Sequence, residues 1–262
     1  MLLYGAVVTI FIFLIMPVAI IIPMSFNASQ LFEFPPTGFS WQWYQSFFSR
    51  PDWREPLLLS LRVAFLVSMF SMILGTLTAV GLNRSKFRGI GAIQGFILSP
   101  IIVPPIIVAV AVYFLFAKLR IVGSEVGLIL AHGVLATPFV VVSVSATLKG
   151  FDQNIEQAAV NLGANRFQAF FYITLPIIRS GVISGAILSF IISFDELIIA
   201  IFISGSTAVT LPKKMWESIR IETDPTVAAV SSFLIGLSVI ILVLIEMLRS
   251  WSEKRAEIRS TI

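Results

Sequence analysis

The stretch Ser193-Phe194-Asp195-Glu196-Leu197 places two adjacent carboxylates inside a long apolar run. A charge at the bilayer centre costs about 2.5–3.5 kcal/mol on insertion scales, so such a group is kept where it binds or pairs with something. Two kinds of chemistry fit Ser193, Asp195 and Glu196. One is recognition of a cation along a path through the membrane. The other is structural: a buried partner for Arg62, or a polar clamp between helices. On a continuous helix Asp195 lies 14 residues beyond Gly181, which is roughly 21 Å along the axis. That puts it past the midplane, on the outer side. Neighbouring side chains on a helix point about 100° apart. One acid then faces the path, and the other faces a helix interface or the outer mouth. With one His and no Cys, the chain is a poor candidate for a Zn, Fe–S or haem site. His132 reads as a hydrogen-bonded helix–helix contact. No GxSxG, HExxH or GxxxxGK[ST] occurs, so neither an intramembrane hydrolase nor an ATPase is expected in this chain.

A second polar stretch, IEQAAVNLGANRFQAFFYITLP at 155–176, lies between two apolar runs. It has good helix formers up to Leu162, a breaker at Gly163 and a new helix start near Asn165. Ile155, Ala158, Ala159 and Leu162 share one face at helical spacing. A helix–Gly–helix at a membrane surface, with small Ala residues exposed, is shaped to enter a groove on another protein.

The elements that carry both stretches are membrane spans. The chain is 57% hydrophobic and 12% charged, with 23 Phe, where soluble domains carry about 25% charged residues. About 20 apolar residues cross a bilayer. Six runs qualify: 2–24, 57–82, 93–117, 126–146, 181–203 and 227–249. The first has no basic n-region or small-residue cleavage site, so it reads as a retained transmembrane helix rather than a secretory signal. In the second span Arg62 sits about a turn inside the start, where it can snorkel outward. In the third, SPIIVPP with Pro100, Pro104 and Pro105 predicts either a simple kink or a helix broken at a packed interior or a pathway. Gly181 and Gly185 form a small packing face, and Glu246 with Arg249 forms an interfacial pair. The net charge of +4 reflects basic flanks of spans, not nucleic-acid binding.

Of the 18 Lys and Arg, ten fall in 83–92, 147–180 and 249–262, and eight fall on the other side with Arg62 included. The loop NRSKFRGIGA, with Arg84, Lys86 and Arg88 and no acid, orients the chain with both termini inside. Outside then lie 25–56, 118–125 and 204–226, of which 25–56 and 204–226 are the long polar ones. The first carries Trp41, Trp43 and Trp53. These form either an interfacial aromatic belt in contact with lipid or an external face touching substrate or a partner. The second predicts a short amphipathic helix capped by Thr210, with Pro212 in its first turn and Leu211, Met215 and Ile219 on one side. Lys213, Lys214 and Trp216 there are candidates for docking a partner.

Ala158, Ala159, Gly163 and the ITLP tail at 173–176 together resemble the EAA loop of ABC-importer permeases. The segments SFNAS at 25–29, WQWYQSFF at 41–48, SFDEL at 193–197 and TLPKKMWESIR at 210–220 resemble the permeases of spermidine/putrescine importers. The resemblance covers most of the chain. It implies an all-α membrane protein with about six transmembrane helices and the type I ABC importer permease fold. Residues 1–262 would form a single permease domain containing a coupling loop at 151–176. Glu156, Gln157, Ala158, Ala159 and Gly163 would couple to an ATPase, and Ser193, Asp195, Glu196 and Trp43 would line the substrate path. The chain would carry no cofactor of its own, with ATP and Mg held by partner ATPase subunits. Its partners would be a second permease subunit, two ATPase subunits, a periplasmic substrate-binding protein and the lipid of a bacterial inner membrane. The substrate would be a small, cationic amine such as a polyamine, or another amino-acid-like or opine-like amine. Two departures are visible: Gln157 stands where the family usually has Glu, and Ile101 follows Ser99-Pro100 where the branch often has an acid. A self-sufficient secondary carrier or channel is the competing reading. It leaves 155–176 without a purpose and calls for inverted repeats, which the sequence does not display.

Overall fold

The computed structural model describes residues 2–30, 33–85, 87–222 and 224–240. Every regular element among them is helical: α1 (Leu2–Met24), α2 (Gln42–Ser49), α3 (Pro51–Arg84), α4 (Ile90–Ile102), α5 (Pro105–Leu119), α6 (Glu125–Lys149), α7 (Gln153–Asn161), α8 (Arg166–Ala169), a π turn (Phe170–Thr174), α9 (Leu175–Phe194), α10 (Ile198–Ile203), α11 (Leu211–Glu217), a second π turn (Ser218–Glu222) and α12 (Thr226–Ile240). Four of the helices are long and apolar enough to cross a membrane: Tyr4–Met24, Pro51–Arg84, Glu125–Lys149 and Arg166–Phe194. The pair α4 and α5 is apolar and long enough only when taken together, and it is bent by 106° at its break, the shape of a broken span or a re-entrant loop. The sixth expected span begins as α12. Its remainder, with Glu246 and Arg249, lies outside the described residues, as does Lys86.

The break between α4 and α5 follows from two consecutive prolines, Pro104 and Pro105, while Pro100 is accommodated inside α4. A residue before Pro is pushed out of the helical region, and Val103 and Pro104 are both extended, at ψ 132°. Pro105 then opens α5, where its missing N–H is one the helix would not use. The broken-helix reading of SPIIVPP is the one the structure adopts.

The chain divides into two compact units, 55–214 and 1–54 with the chain from 215 on. In the first of these α6 is central. Ala131, Ala136, Val140 and Val144 on it are fully buried, and α9 lies directly against it at two glycines. A Cβ on Gly185 would stand 3.0 Å from Val140 Cα. One on Gly181 would collide with Thr147 Oγ1 and stand 2.9 Å from Ser143 O. Small residues allow this approach, and polar groups tie it: Ser143 Oγ donates to Gly181 O at 2.9 Å. Helix α3 joins the same layer. Ser68 Oγ donates to Ala186 O at 2.7 Å, and Gly75 admits the Val140 side chain. Arg62 on α3 forks onto Glu125 in the first turn of α6, at 2.6 and 2.5 Å. This removes the expectation that Arg62 pairs with Asp195 or Glu196. Glu125 also sits at the positive end of the α6 dipole, which favours an acid there.

In the other unit the fully buried Trp53 packs edge-on to Phe47, which in turn touches Phe233. The Trp53 indole N–H donates to Asp224 Oδ2 at 3.3 Å, and Arg50 reaches the same oxygen at 2.9 Å while forking onto Asp52. Trp53 is therefore core, not part of an exposed docking face or aromatic belt. Trp41 remains exposed and packs on Phe26 and Tyr44.

Three expectations for 204–226 are corrected. Thr210 Oγ1 caps nothing and has no hydrogen-bond partner among the described residues. Ser60 Oγ instead accepts the Leu211 N–H at 2.8 Å. Lys213 is not a surface cation, because its Nζ is buried against Ser204 Oγ at 2.8 Å and Gly205 O at 2.6 Å. The 211–219 stripe also fails to stay on one side. Leu211 is fully buried while Ile219 is 54% exposed, because the chain changes from α to π winding at Ser218.

Two outcomes follow from this packing. Gly185→Leu should destabilise by about 1–3 kcal/mol through overpacking, while Gly95→Ala, with open space at its Cβ, should not; thermal unfolding of the purified protein compares them. Burial raises the Asp224 carboxyl, but hydrogen bonds from Thr226 and Trp53 and the charge of Arg50 outweigh it and leave the group below its ordinary value of 3.8. A depressed carboxylate contributes stability above its ordinary pKa and loses it as pH falls through the folded value. Asp224→Asn should accordingly be less stable than the parent near neutrality, and the gap should close as the solution is acidified through that window.

Candidate functional site

The acids at 195–196 sit at an interruption of the fifth span, not on a continuous helix. Helix α9 ends at Phe194, and the Asp195 N–H closes its last turn onto Ile191 O at 3.1 Å. Glu196 Oε1 then accepts the Ile199 N–H at 3.0 Å, the bond that starts α10. A side chain that captures a backbone donor three residues on competes with helix continuation, and this explains a break that contains neither Pro nor Gly. The expected divergence of adjacent helical side chains does not apply here. Asp195 is exposed, while Glu196 is half-buried and engaged by the Ile199 N–H. The end of α9 carries the negative end of its helix dipole, a field that, with the exposed Asp195, favours a cation.

Beneath the break, Ser193 is buried and its Oγ lies 3.0 Å from His132 Nδ1, which is also 3.1 Å from Ser193 O. His132 therefore joins α6 to α9, as its helix–helix reading predicts. Its Nε2 and Ser189 Oγ are buried with no hydrogen-bond partner among the described residues. The structure thus gathers Ser193, Asp195 and Glu196 at one interruption and adds His132 to them. Trp43 lies in the other unit, where its indole N–H donates to Asn27 O at 2.7 Å.

The polar loop forms as its sequence dictates. Asp152 caps α7 by accepting the Asn154 N–H at 2.9 Å. After Leu162 the chain turns through Gly163 at φ +100°, a left-handed conformation that favours glycine. Asn165 and Gln168 then bond each other's backbone N–H at 2.9 Å, a capping box that opens α8. The loop leaves large apolar groups uncovered: Leu162 is 89% and Phe167 79% exposed, with Ile155 and Val160 also exposed. Gln157 and Ala158 are exposed and Ala159 half-buried on the same short helix.

Glu156 behaves differently from its neighbours. Its Oε2 accepts from Arg84 Nη2 at 2.6 Å and from Thr174 Oγ1 at 2.8 Å. Beside it, Gln153 Nε2 donates to Asn83 Oδ1 at 3.0 Å. A cleft of about 420 Å³ lies among Arg84, Glu156, Gln157, Asn161 and Arg166. The sequence enters Arg84 only in a charge balance and Thr174 only as a polar residue of the loop. Neither signals the other, because both partners of Glu156 lie in other elements.

This geometry accompanies clear likenesses. The family model described as binding-protein-dependent transport system inner membrane component matches residues 71–257. The spermidine/putrescine transport system permease protein PotC of Haemophilus influenzae is 32% identical over 242 residues, which is 91% of this chain and 93% of that protein. The putrescine transport system permease protein PotI of Escherichia coli K12 is 35% identical over 233 residues, 86% of this chain and 83% of that one. Among solved structures, a bacterial ABC transporter involved in the import of the acidic polysaccharide alginate superposes with a TM-score of 0.75 at 12% identity, covering 94% of each chain. That last likeness concerns the fold alone. With its helical crossings, its helix–Gly–helix loop and these matches, the chain belongs to the family of binding-protein-dependent transport system inner membrane components, the permease subunits of ABC importers.

Proposed function

We propose that this chain provides half of the path by which a small cationic amine, of the polyamine class, enters a bacterial cell. The observation that carries the substrate class is the exposed Asp195 at the end of α9, within a break of a membrane-spanning segment. Carboxylate and helix terminus both favour a desolvated ammonium, and relatives that share most of the chain are named for spermidine and putrescine. In this reading the termini and the 151–176 loop face the cytosol. Two ATPase subunits bind ATP and Mg there, and a second permease subunit completes the path. A periplasmic binding protein delivers substrate to the outer segments.

The loop supports coupling by its surface. Leu162 and Phe167 lie almost bare on this polar loop, and large exposed apolar side chains on a short helix suit a groove in another protein. Ala158 and Ala159 let that helix lie close to its partner, and Gly163 holds the turn.

Two measurements test the reading. Ala159→Asp or Gly163→Trp should leave the protein folded but abolish co-purification of the ATPase and ATP-driven uptake; normal uptake by both would end the docking interpretation. Asp195→Asn should lower putrescine uptake by roughly tenfold or more at equal protein level, since a charge-assisted bond to a desolvated ammonium is lost. Wild-type uptake by Asp195→Asn would remove the main support for a cationic substrate.

A further inference from the structure

Glu156 is placed as no neighbouring loop residue is. One of its oxygens, Oε2, receives both the Arg84 guanidinium at 2.6 Å and the Thr174 hydroxyl at 2.8 Å. Arg84 is the last residue of α3, a helix that crosses the membrane, and Thr174 closes the π turn that leads into α9, another such helix. Glu156 belongs to α7. Three elements separated in sequence therefore converge on a single carboxylate oxygen.

The contact has the character of an internal joint. The Glu156 side chain is only 15% exposed, while its Arg84 partner is 38% exposed, so the carboxylate is the sheltered end of a pair that opens to the surface on the arginine side. Thr174 is fully buried. A helical Thr usually turns its hydroxyl back onto its own preceding turn, but Thr174 sends it across to Glu156. The π turn supplies the room: π winding displaces one residue from the regular ladder, a feature frequent at working sites of helices. A second tie, Gln153 to Asn83 at 3.0 Å, keeps α7 from rotating about the first. Gln157, one residue on, is turned outward and exposed.

We infer that Glu156 is a positioning residue: it does not meet the ATPase but binds the coupling helix to α3 and α9, so that movement of α7 displaces both membrane helices together. The inference rests on the coupling role given to this loop above. The partner-facing positions are then Gln157, Ala158, Ala159 and Leu162, while the one acid of α7 is spent within the chain.

The test uses the full transporter in lipid vesicles, with three readouts: co-purification of the ATPase subunit, ATP hydrolysed, and radiolabelled putrescine taken up. Glu156→Gln and the milder Thr174→Val should both retain the ATPase and continue to hydrolyse ATP. Uptake per ATP should fall roughly tenfold for Glu156→Gln, the scale of one lost charge-assisted bond, and less for Thr174→Val. The exchange Arg84→Glu with Glu156→Arg should recover a substantial part of the loss that either change causes alone. Loss of ATPase co-purification in Glu156→Gln would overturn the inference by making the residue a contact with the partner. Unchanged uptake per ATP in Glu156→Gln would overturn it as well, and so would an exchange no better than the single changes. Failure of docking itself is read separately, from Ala159→Asp.

Discussion

A backbone in hydrocarbon has no water to receive its free N–H and C=O groups, so each interruption of a membrane helix must be satisfied from within the protein. Much of this structure follows from how two interruptions meet that demand. Between α4 and α5 the demand is reduced: Pro104 and Pro105 bring no N–H, and the Val103 N–H closes onto Ser99 O at 2.9 Å. At 195–197 it is met by side chains. Glu196 takes the Ile199 N–H, and His132 stands against the Ser193 carbonyl from the neighbouring helix. The second solution is possible only because α6 and α9 run in close contact at Gly181 and Gly185. Small residues along the shared face thus support polar chemistry farther along the same pair of helices.

The sequence makes some of these features visible and conceals others for physical reasons. Length and apolarity mark the spans, because lipid imposes both. Proline chemistry marks the α4–α5 break, and Gly163 marks the loop turn, because each acts through local backbone geometry. The break at Asp195 has no such local marker. It depends on Glu196 turning back to its own backbone, an option open to any acid in a helix and taken at few. The partner of Arg62 is hidden for another reason: Glu125 lies 63 residues away, and periodicity says nothing about which distant elements meet. Lys213 and Trp53 carry the composition of surface and interface residues, yet tertiary contacts bury them. A local pattern cannot tell a cation that finds a carbonyl and a hydroxyl inside the protein from one that remains in water.

The loop at 151–176 shows how two adjacent polar residues can divide their tasks. On a helix, successive side chains point in quite different directions, so Glu156 and Gln157 cannot both face a partner. One acid turned inward gathers Arg84 and Thr174; the amide beside it remains on the surface. The residue type at each position follows from what surrounds it. A carboxylate repays burial when it has two donors, while a neutral amide suits a position without a fixed counter-charge.

Helix α3 is 34 residues long, or roughly 51 Å at an ordinary helical rise, against about 30 Å of hydrocarbon. Even when tilted, such a rod stands proud of the lipid. Its two ends carry charge where its middle does not, with Asp52 paired to Arg50 at one end and the half-exposed Arg84 paired to the more sheltered Glu156 at the other. Only its middle is governed by greasy packing. One continuous helix thereby joins an apolar middle of crossing length to two charged ends.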